Sequence, residues 1–279
     1  MVPAMQSAWR VRSPFTCTMT VTMPAPSPKP VLKQISGIER HLNKLRLVPA
    51  TRRLRSAVIL PLLSKALTVS RAICVLIENG FPAEAFATSR TLLDILFIVR
   101  YITNKDTEQR AERYVKYHAR VRKEFFNVTQ KHFPKTRLRA LDPFTLAAAS
   151  EFKSKGNWTG EPAQARMMAL EEDSVEFDEY GKGLTSQFDY EGLYFWTSQH
   201  VHATVEGIDG HAGKSGEVFR VRSRRRDERP CASGALFITC VTLCKIFVHA
   251  CRSLKEEQPK QIQELYKLIR KCYRKKKTV

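Results

Sequence analysis

The chain has 279 residues and a globular composition, with 43% hydrophobic and 27% charged residues. That length allows one large domain with a buried core, and it excludes a small secreted fold held together by disulfides. The formal net charge of +20 at pH 7 is the strongest global signal. Charge of this size attracts nucleic acid or an anionic membrane surface, although a solvated basic surface without a dedicated partner fits it equally well.

Cysteine usage and the N-terminal residues indicate the compartment. The seven cysteines include no C-x-x-C pair, so neither a disulfide framework nor a zinc site is predicted. Residues 1–30 are rich in proline, lack acidic residues and contain no continuous apolar stretch of the kind that a secretory signal needs. We predict a cytoplasmic protein with a disordered leader over residues 1–30, and neither a metal nor a cofactor.

Apolar residues recur at helical spacing along most of the chain, and no stretch keeps the alternation of a strand. The segment 83–103 is hydrophobic on nearly every side, which is typical of a helix buried all round. Pro61 either kinks the helix predicted over residues 51–78 or marks its true start. We predict an all-α fold, an irregular bundle of about six to eight helices around the central buried helix 83–103. The predicted helices span residues 31–47, 51–78, 83–103, 107–133, 186–206, 233–254 and 259–277.

Residues 233–254 form a second long apolar segment. A membrane-spanning helix needs about 20 uninterrupted apolar residues, and Lys245 interrupts this segment at its middle. We therefore predict a core helix and no transmembrane segment. The chain is accordingly divided into the leader, a helical bundle domain over residues 31–254, and a basic amphipathic C-terminal helix and tail over residues 255–279.

Charge is distributed unevenly along the chain. Residues 110–139 carry ten Lys and Arg against two Glu, or 10 − 2 = +8, whereas residues 151–191 carry four against ten acids, or 4 − 10 = −6. The basic helix 110–139 and the basic tail 267–277 are the predicted contact surfaces for RNA or DNA. The acidic segment either covers part of the basic helix or repels nucleic acid locally. The apolar stripe predicted for helix 107–133 consists of Tyr114, Val115, Tyr117, Val121, Phe125 and Val128.

Arg90 and Asp94 stand one helical turn apart inside the apolar helix 83–103. Because that helix is predicted to be buried, both charges need partners within the protein, and an ion pair between them is the simplest arrangement. Such a pair is either a clasp that joins helices or part of a functional site, since a buried arginine can bind an anion.

A second candidate lies on the aromatic segment 186–206, where Tyr190, Tyr194, Ser198 and His202 follow one another at four-residue intervals. On an α-helix these side chains share one slowly drifting face. His202 is a candidate acid or base, and Ser198 is a candidate for positioning a substrate or water. Tyrosine stripes also line ordinary helix interfaces, and no carboxylate completes a triad here.

Arg113 and His118 form an R-x4-H sequence within the basic helix. This motif resembles the catalytic motif of the HEPN helical ribonucleases, in which the Arg and His act on the RNA backbone, usually at a dimer interface. The resemblance implies a homodimer. Five residues place the two side chains about 140° apart on one helix, so they do not assemble by themselves.

Several of these residues together resemble the domain of unknown function 5677, a family of mostly bacterial all-helical proteins. The resemblance rests on Ser89-Arg90-Thr91-Leu92-Leu93-Asp94, Arg113-Tyr114, Asn157-Trp158 and the Tyr194, Ser198, His202 series. The family usually has Glu where this chain has Asp94, which is a shorter carboxylate. The resemblance covers residues 55–250 and implies no settled activity.

Two functional hypotheses follow. In the first, the protein acts on nucleic acid as an RNA-binding protein or a metal-independent ribonuclease of the toxin or phage-defence type. Its catalytic residues are Arg90, Asp94, Ser198 and His202, or alternatively Arg113 and His118, and its binding residues are Tyr194, Trp158 and Tyr190. In the second, the protein is a non-catalytic helical binding module whose polar centre is structural or holds a small anionic ligand.

Overall fold

The structure is a computed structural model that describes residues 27–43, 54–135, 140–152, 159, 188–202, 212–215, 218–221 and 229–274. Helices dominate these residues, which confirms the predicted all-α bundle. The α-helices are α1 (Lys29–Leu42), α2 (Leu54–Glu78), α3 (Pro82–Asn104), α4 (Thr107–His132), α5 (Pro143–Ser150), α6 (Phe195–Val201), α7 (Arg229–Leu254) and α8 (Lys260–Arg274). A π-helix (Phe188–Tyr194) leads directly into α6, and two short strands, β1 (Ala212–Ser215) and β2 (Val218–Val221), lie between α6 and α7.

Helix α3 is the centre of the bundle, as the sequence predicted. It contacts α2, α4, α6, α7 and the π-helix, so its apolar side chains meet neighbours on all sides. Leu92, Leu96, Val99 and Ile102 are completely buried. A helix surrounded in this way keeps only a narrow exposed strip, which includes Glu84 and Thr91. This explains why its sequence is apolar around most of its circumference.

Helix α7 is the second core element and packs along α3 and α2. By length and composition alone, α2 and residues Pro230–Leu254 of α7 are each apolar enough to cross a membrane. In this bundle 83% of the apolar window in α7 is buried inside the protein, as expected for a core helix. The lack of a transmembrane segment remains a prediction.

Pro61 lies inside α2, seven residues after its first residue, so it does not mark the start of this helix. Helix α8 contacts α7 and α1, and its residues Ile262, Leu265 and Ile269 join the main hydrophobic core. The apolar side of α8 therefore shares the core of the bundle. The proposed domain boundary at residue 254 remains a prediction.

Three elements differ from those predicted. The short helix α5 lies outside every predicted helix; Asp142 caps it by accepting a hydrogen bond from the Thr145 amide at 2.8 Å. Strands β1 and β2 form an antiparallel pair with Ala212 opposite Val221, although no strand was predicted. Four-residue strands are too short to show a clear alternation of apolar and polar residues.

Only some members of the apolar stripe predicted for α4 pack against the bundle. Helix α4 lies at the edge of the bundle, where it contacts α2, α3 and α5. Tyr114 and Tyr117 pack against the core. The other predicted members face solvent: Val115 is 44% exposed, Val121 44%, Phe125 71% and Val128 56%.

Candidate functional site

Arg90 joins two parts of the chain that are more than one hundred residues apart. Its Nη2 donates a hydrogen bond to the Tyr194 hydroxyl at 2.8 Å, and its Nη1 lies 2.9 Å from His202 Nε2. The guanidinium carbon also lies 4.8 Å from the centroid of the Tyr194 ring, within the range of a cation–π interaction. The central helix and the aromatic segment therefore meet at one polar cluster, which we call the Arg90 cluster: Arg90, Tyr194 and His202.

The hydrogen-bonding capacity of the guanidinium sets the direction of these contacts. A guanidinium only donates hydrogen bonds, so the tautomer of His202 that fits this contact accepts through Nε2. Among the described residues no carboxylate forms an ion pair with Arg90, and its buried Nε has no hydrogen-bond partner. Arg90 and Tyr194 are half-buried, and His202 is exposed. The cluster thus holds a partly desolvated positive charge, with no ion-pair partner in the part of the chain that the structure describes, next to an accessible imidazole.

The ion pair expected between Arg90 and Asp94 is not found among the described residues. Tyr194 and His202 hold the guanidinium from the facing segment. Asp94 is half-buried and has other interactions. The predicted ion pair with Asp94 is therefore wrong. The expectation that Arg90 has a partner within the protein is confirmed, because Tyr194 and His202 lie within hydrogen-bonding distance of it.

One face of α3 positions the cluster through ring contacts along the aromatic segment. Near the start of α3, Phe86 packs edge-on against His200 with ring centroids 5.0 Å apart. Further along the same helix, Phe97 contacts Tyr194 at 5.7 Å and Tyr190 at 6.2 Å. Because the later residue of α3 contacts the earlier residues of the aromatic segment, the two run antiparallel. Arg90 lies between these two sets of contacts.

The aromatic segment is not the continuous α-helix that the sequence predicted. Phe188–Tyr194 is wound as a π-helix, a rare form that often occurs at functional sites. The Tyr190 and Tyr194 rings stack with centroids 5.5 Å apart and planes 15° apart. The Ser198 hydroxyl donates to the Tyr194 carbonyl at 2.6 Å, so its proton is used within its own helical segment.

A second polar group was missed by the sequence reasoning and lies deeper in the bundle. Asp189, on the π-helix, accepts a hydrogen bond from Lys245 of α7 at 2.5 Å, and its Oδ2 lies 3.9 Å from Arg100 Nη1 of α3. These three side chains are 0%, 2% and 4% exposed respectively. Together with His249, which is 7% exposed, they form what we call the buried charge cluster. It ties the π-helix to both core helices.

Burial controls the protonation equilibria of the buried charge cluster. Desolvation raises the pKa of Asp189, against the opposing effects of Lys245 and Arg100. Desolvation likewise lowers the pKa of Lys245, although Asp189 opposes this shift. Burial, reinforced by the positive charges of Arg100, Arg252 and Lys245, lowers the pKa of His249 to about 3. His249 is therefore neutral in the folded protein at physiological pH.

One sequence signal could have revealed this cluster. Lys245 interrupts an apolar helix in the same way that Arg90 interrupts helix 83–103, so it also needed a buried partner. Its partner Asp189 is 56 residues away. The sequence contains no local signal that pairs the two.

The alternative catalytic pair lies on the surface of α4. Arg113 and His118 are both exposed, and the Arg113 guanidinium carbon lies 5.5 Å from the centroid of the Phe152 ring. Among the described residues no hydrogen bond joins Arg113 to His118. Trp158, a predicted binding residue, lies outside the described residues, as does the last part of the basic tail, residues 275–277.

Comparisons with known proteins identify the family. No curated protein and no solved structure matches the chain, and a likeness to HEPN ribonucleases is not shown. The chain matches the family of unknown function DUF5677 over residues 56–219. That range runs from α2 to β2 and contains all three members of the Arg90 cluster, whereas α7 lies outside it. Because the match covers more than half of the chain, this protein belongs to the DUF5677 family.

Proposed function

We propose that the protein binds RNA and cleaves it without a metal ion at the Arg90 cluster. The observation that carries this proposal is the half-buried Arg90 guanidinium, which has no carboxylate partner among the described residues and lies 2.9 Å from an exposed imidazole. A phosphodiester oxygen would supply the missing negative charge. The net charge of +20 favours a polyanionic substrate.

The chemistry follows from the hydrogen-bonding capacities of the cluster. When a phosphate oxygen replaces His202 Nε2 as the acceptor of the Arg90 N–H, the Nε2 lone pair becomes available to take the proton of the ribose 2′-hydroxyl. The 2′-oxygen forms the new bond to phosphorus, the bond to the 5′-oxygen breaks, and the 5′-oxygen takes a proton from solvent. Arg90 stabilises the negative charge that builds up on the phosphoryl oxygens. Tyr194 fixes the guanidinium through its hydroxyl and its ring.

Cleavage of a labelled single-stranded RNA in the presence of EDTA tests this proposal. His202→Ala should reduce the cleavage rate by about 10²- to 10⁴-fold, the usual contribution of a general base, with little change in melting temperature because His202 is exposed. His41→Ala, on the remote helix α1, is the matched control and should cleave at the parent rate. Equal cleavage rates for His202→Ala and the parent would refute the proposal. Loss of cleavage in His118→Ala alone would assign the reaction to the R-x4-H pair.

A second candidate function is a non-catalytic binding module. It is favoured by the fact that two N–H groups of Arg90 and the hydroxyl of Ser198 already have acceptors within the protein. Under this hypothesis the Arg90 cluster joins α3 to α6 or binds a small anion. Inorganic phosphate should then shift the His202 imidazole resonances in the parent but not in Arg90→Met. Neither protein should cleave RNA. An absence of any phosphate-induced shift in the parent would refute anion binding.

A further inference from the structure

Along its outer side, α4 presents a continuous stripe of side chains that the described part of the chain leaves exposed. His118, Val121, Phe125, Val128 and His132 recur at intervals of three and four residues, so they share one helical face. All five are exposed, and Phe125 is 71% exposed. We call this set the α4 stripe. A single exposed apolar residue is ordinary, but a stripe of this length indicates an interaction surface.

Two further exposed aromatic side chains lie at the end of α4 and the start of α5. Phe133, the residue that follows α4, is 63% exposed, and Phe144, in the first turn of α5, is 73% exposed. Helix α5 packs against α4. The pKa of its capping residue Asp142 is lowered mainly by the hydrogen bonds from Thr145, and the positive charge of Arg122 on α4 adds to this shift. Aromatic rings are therefore available both along α4 and at the adjoining end of α5.

The surroundings of the α4 stripe are strongly cationic. Residues 118–135 contain five Lys and Arg against Glu124, or 5 − 1 = +4. Glu124 already forms an ion pair with Arg120 at 2.9 Å. The remaining cations beside or just beyond the stripe are Arg122, Lys131 and Lys135, since Lys123 lies on the opposite side of the helix.

We propose that the α4 stripe is a docking surface for a single-stranded RNA segment, with bases stacked on Phe125, Phe133 and Phe144 and phosphates held by the flanking cations. Exposed aromatic rings among positive charges are the combination that single-stranded nucleic acid requires. A second copy of the chain fits less well, because its stripe would bring +4 against +4. A membrane surface fits less well, because the apolar part of the stripe is limited to Val121, Phe125 and Val128 and is bounded by His118 and His132.

This inference rests on the proposed function and adds a second contact with the substrate strand, outside the Arg90 cluster. Fluorescence anisotropy with a labelled single-stranded RNA of 20 nucleotides tests it. Phe125→Ala should weaken binding by about 5- to 150-fold, because loss of one stacked base costs about 1–3 kcal/mol. Phe81→Ala, which removes an exposed phenylalanine at the start of α3, is the matched control and should bind like the parent. Lys131→Gln should reduce the slope of log Kd against log salt by about 0.7.

The outcomes separate the docking surface from the cleavage site. Phe125→Ala should cleave a dinucleoside monophosphate at the parent rate, whereas His202→Ala should bind the 20-nucleotide RNA with parent affinity without cleaving it. If no protein cleaves RNA but Phe125→Ala weakens binding, the docking surface stands and the proposed activity fails. Parent-like RNA affinity in Phe125→Ala would overturn the inference. It would also be overturned if that variant instead lost binding to phosphatidylserine vesicles, or lost dimer formation in light scattering.

Discussion

Acidification from pH 7.5 to pH 5 should cost the folded protein about 2 kcal/mol through His249 alone. This imidazole is buried among positive charges, and its folded-state pKa of about 3 lies below the ordinary value of 6.5. As the pH falls below 6.5 the unfolded chain binds a proton that the folded chain does not. The stability linked to His249 is therefore complete above pH 6.5 and is lost progressively as the pH falls towards 3.

The magnitude follows from the distance between the two pKa values and the chosen pH. A pH of 5 lies 1.5 units below the pKa of 6.5 that the imidazole has in the unfolded chain. Each unit corresponds to about 1.36 kcal/mol of free energy. The product is about 2 kcal/mol. At pH 7.5 neither state binds the proton appreciably, so the contribution there is close to zero.

Urea unfolding followed by circular dichroism measures this effect. The free energy of unfolding is determined at pH 7.5 and pH 5 for the parent, for His249→Gln and for His249→Phe. Both variants lack the titrating group, so each should lose about 2 kcal/mol less than the parent between the two pH values, whatever its absolute stability. If the parent and the variants lose equal amounts, His249 is not held neutral by burial and the reasoning is refuted.

Three further predictions concern single side chains. Lys245→Met should lower the free energy of unfolding by about 3–5 kcal/mol, because it leaves the Asp189 carboxylate buried without its main partner. Adding Asp189→Asn should restore part of that loss, as measured by urea titration. Strictly additive losses would contradict this. Ser198→Ala should change stability by less than about 0.5 kcal/mol and leave RNA cleavage at the parent rate, so a large loss of cleavage would make Ser198 a reacting group. Gly234→Ala should destabilise by about 1–3 kcal/mol, because its Cβ would lie 2.8 Å from the Phe86 ring; a higher melting temperature would be inconsistent with that contact.

Helical periodicity was sufficient to predict the main architecture. The apolar circumference of residues 83–103 predicted the central position of α3, since a helix without a polar face must be surrounded by protein. Arg90 within that helix, and His202 at the end of the aromatic segment, marked the two halves of the candidate site. The catalytic role assigned to them remains a prediction.

Periodicity did not reveal which faces of the helices are covered. The apolar stripe on α4 has helical spacing whether a neighbour packs on it or not, and in the bundle Phe125 and Val128 face solvent. The π-helix was also beyond the pattern. Asp189 and Tyr194, which lie on it, contact residues of α3 and α7 that are distant in the sequence, and such contacts are not encoded in local spacing.

The sequence by itself determined that this protein is a helical bundle, that α3 is its centre, and that a charge in an apolar helix must have a partner. Only the tertiary structure decided the identity of those partners. Arg90 contacts Tyr194 and His202 rather than its neighbour Asp94, and Lys245 contacts Asp189. The physical reason is that burial makes a partner necessary at a known position, whereas the choice of partner depends on which helices pack together, and that is settled by the whole core.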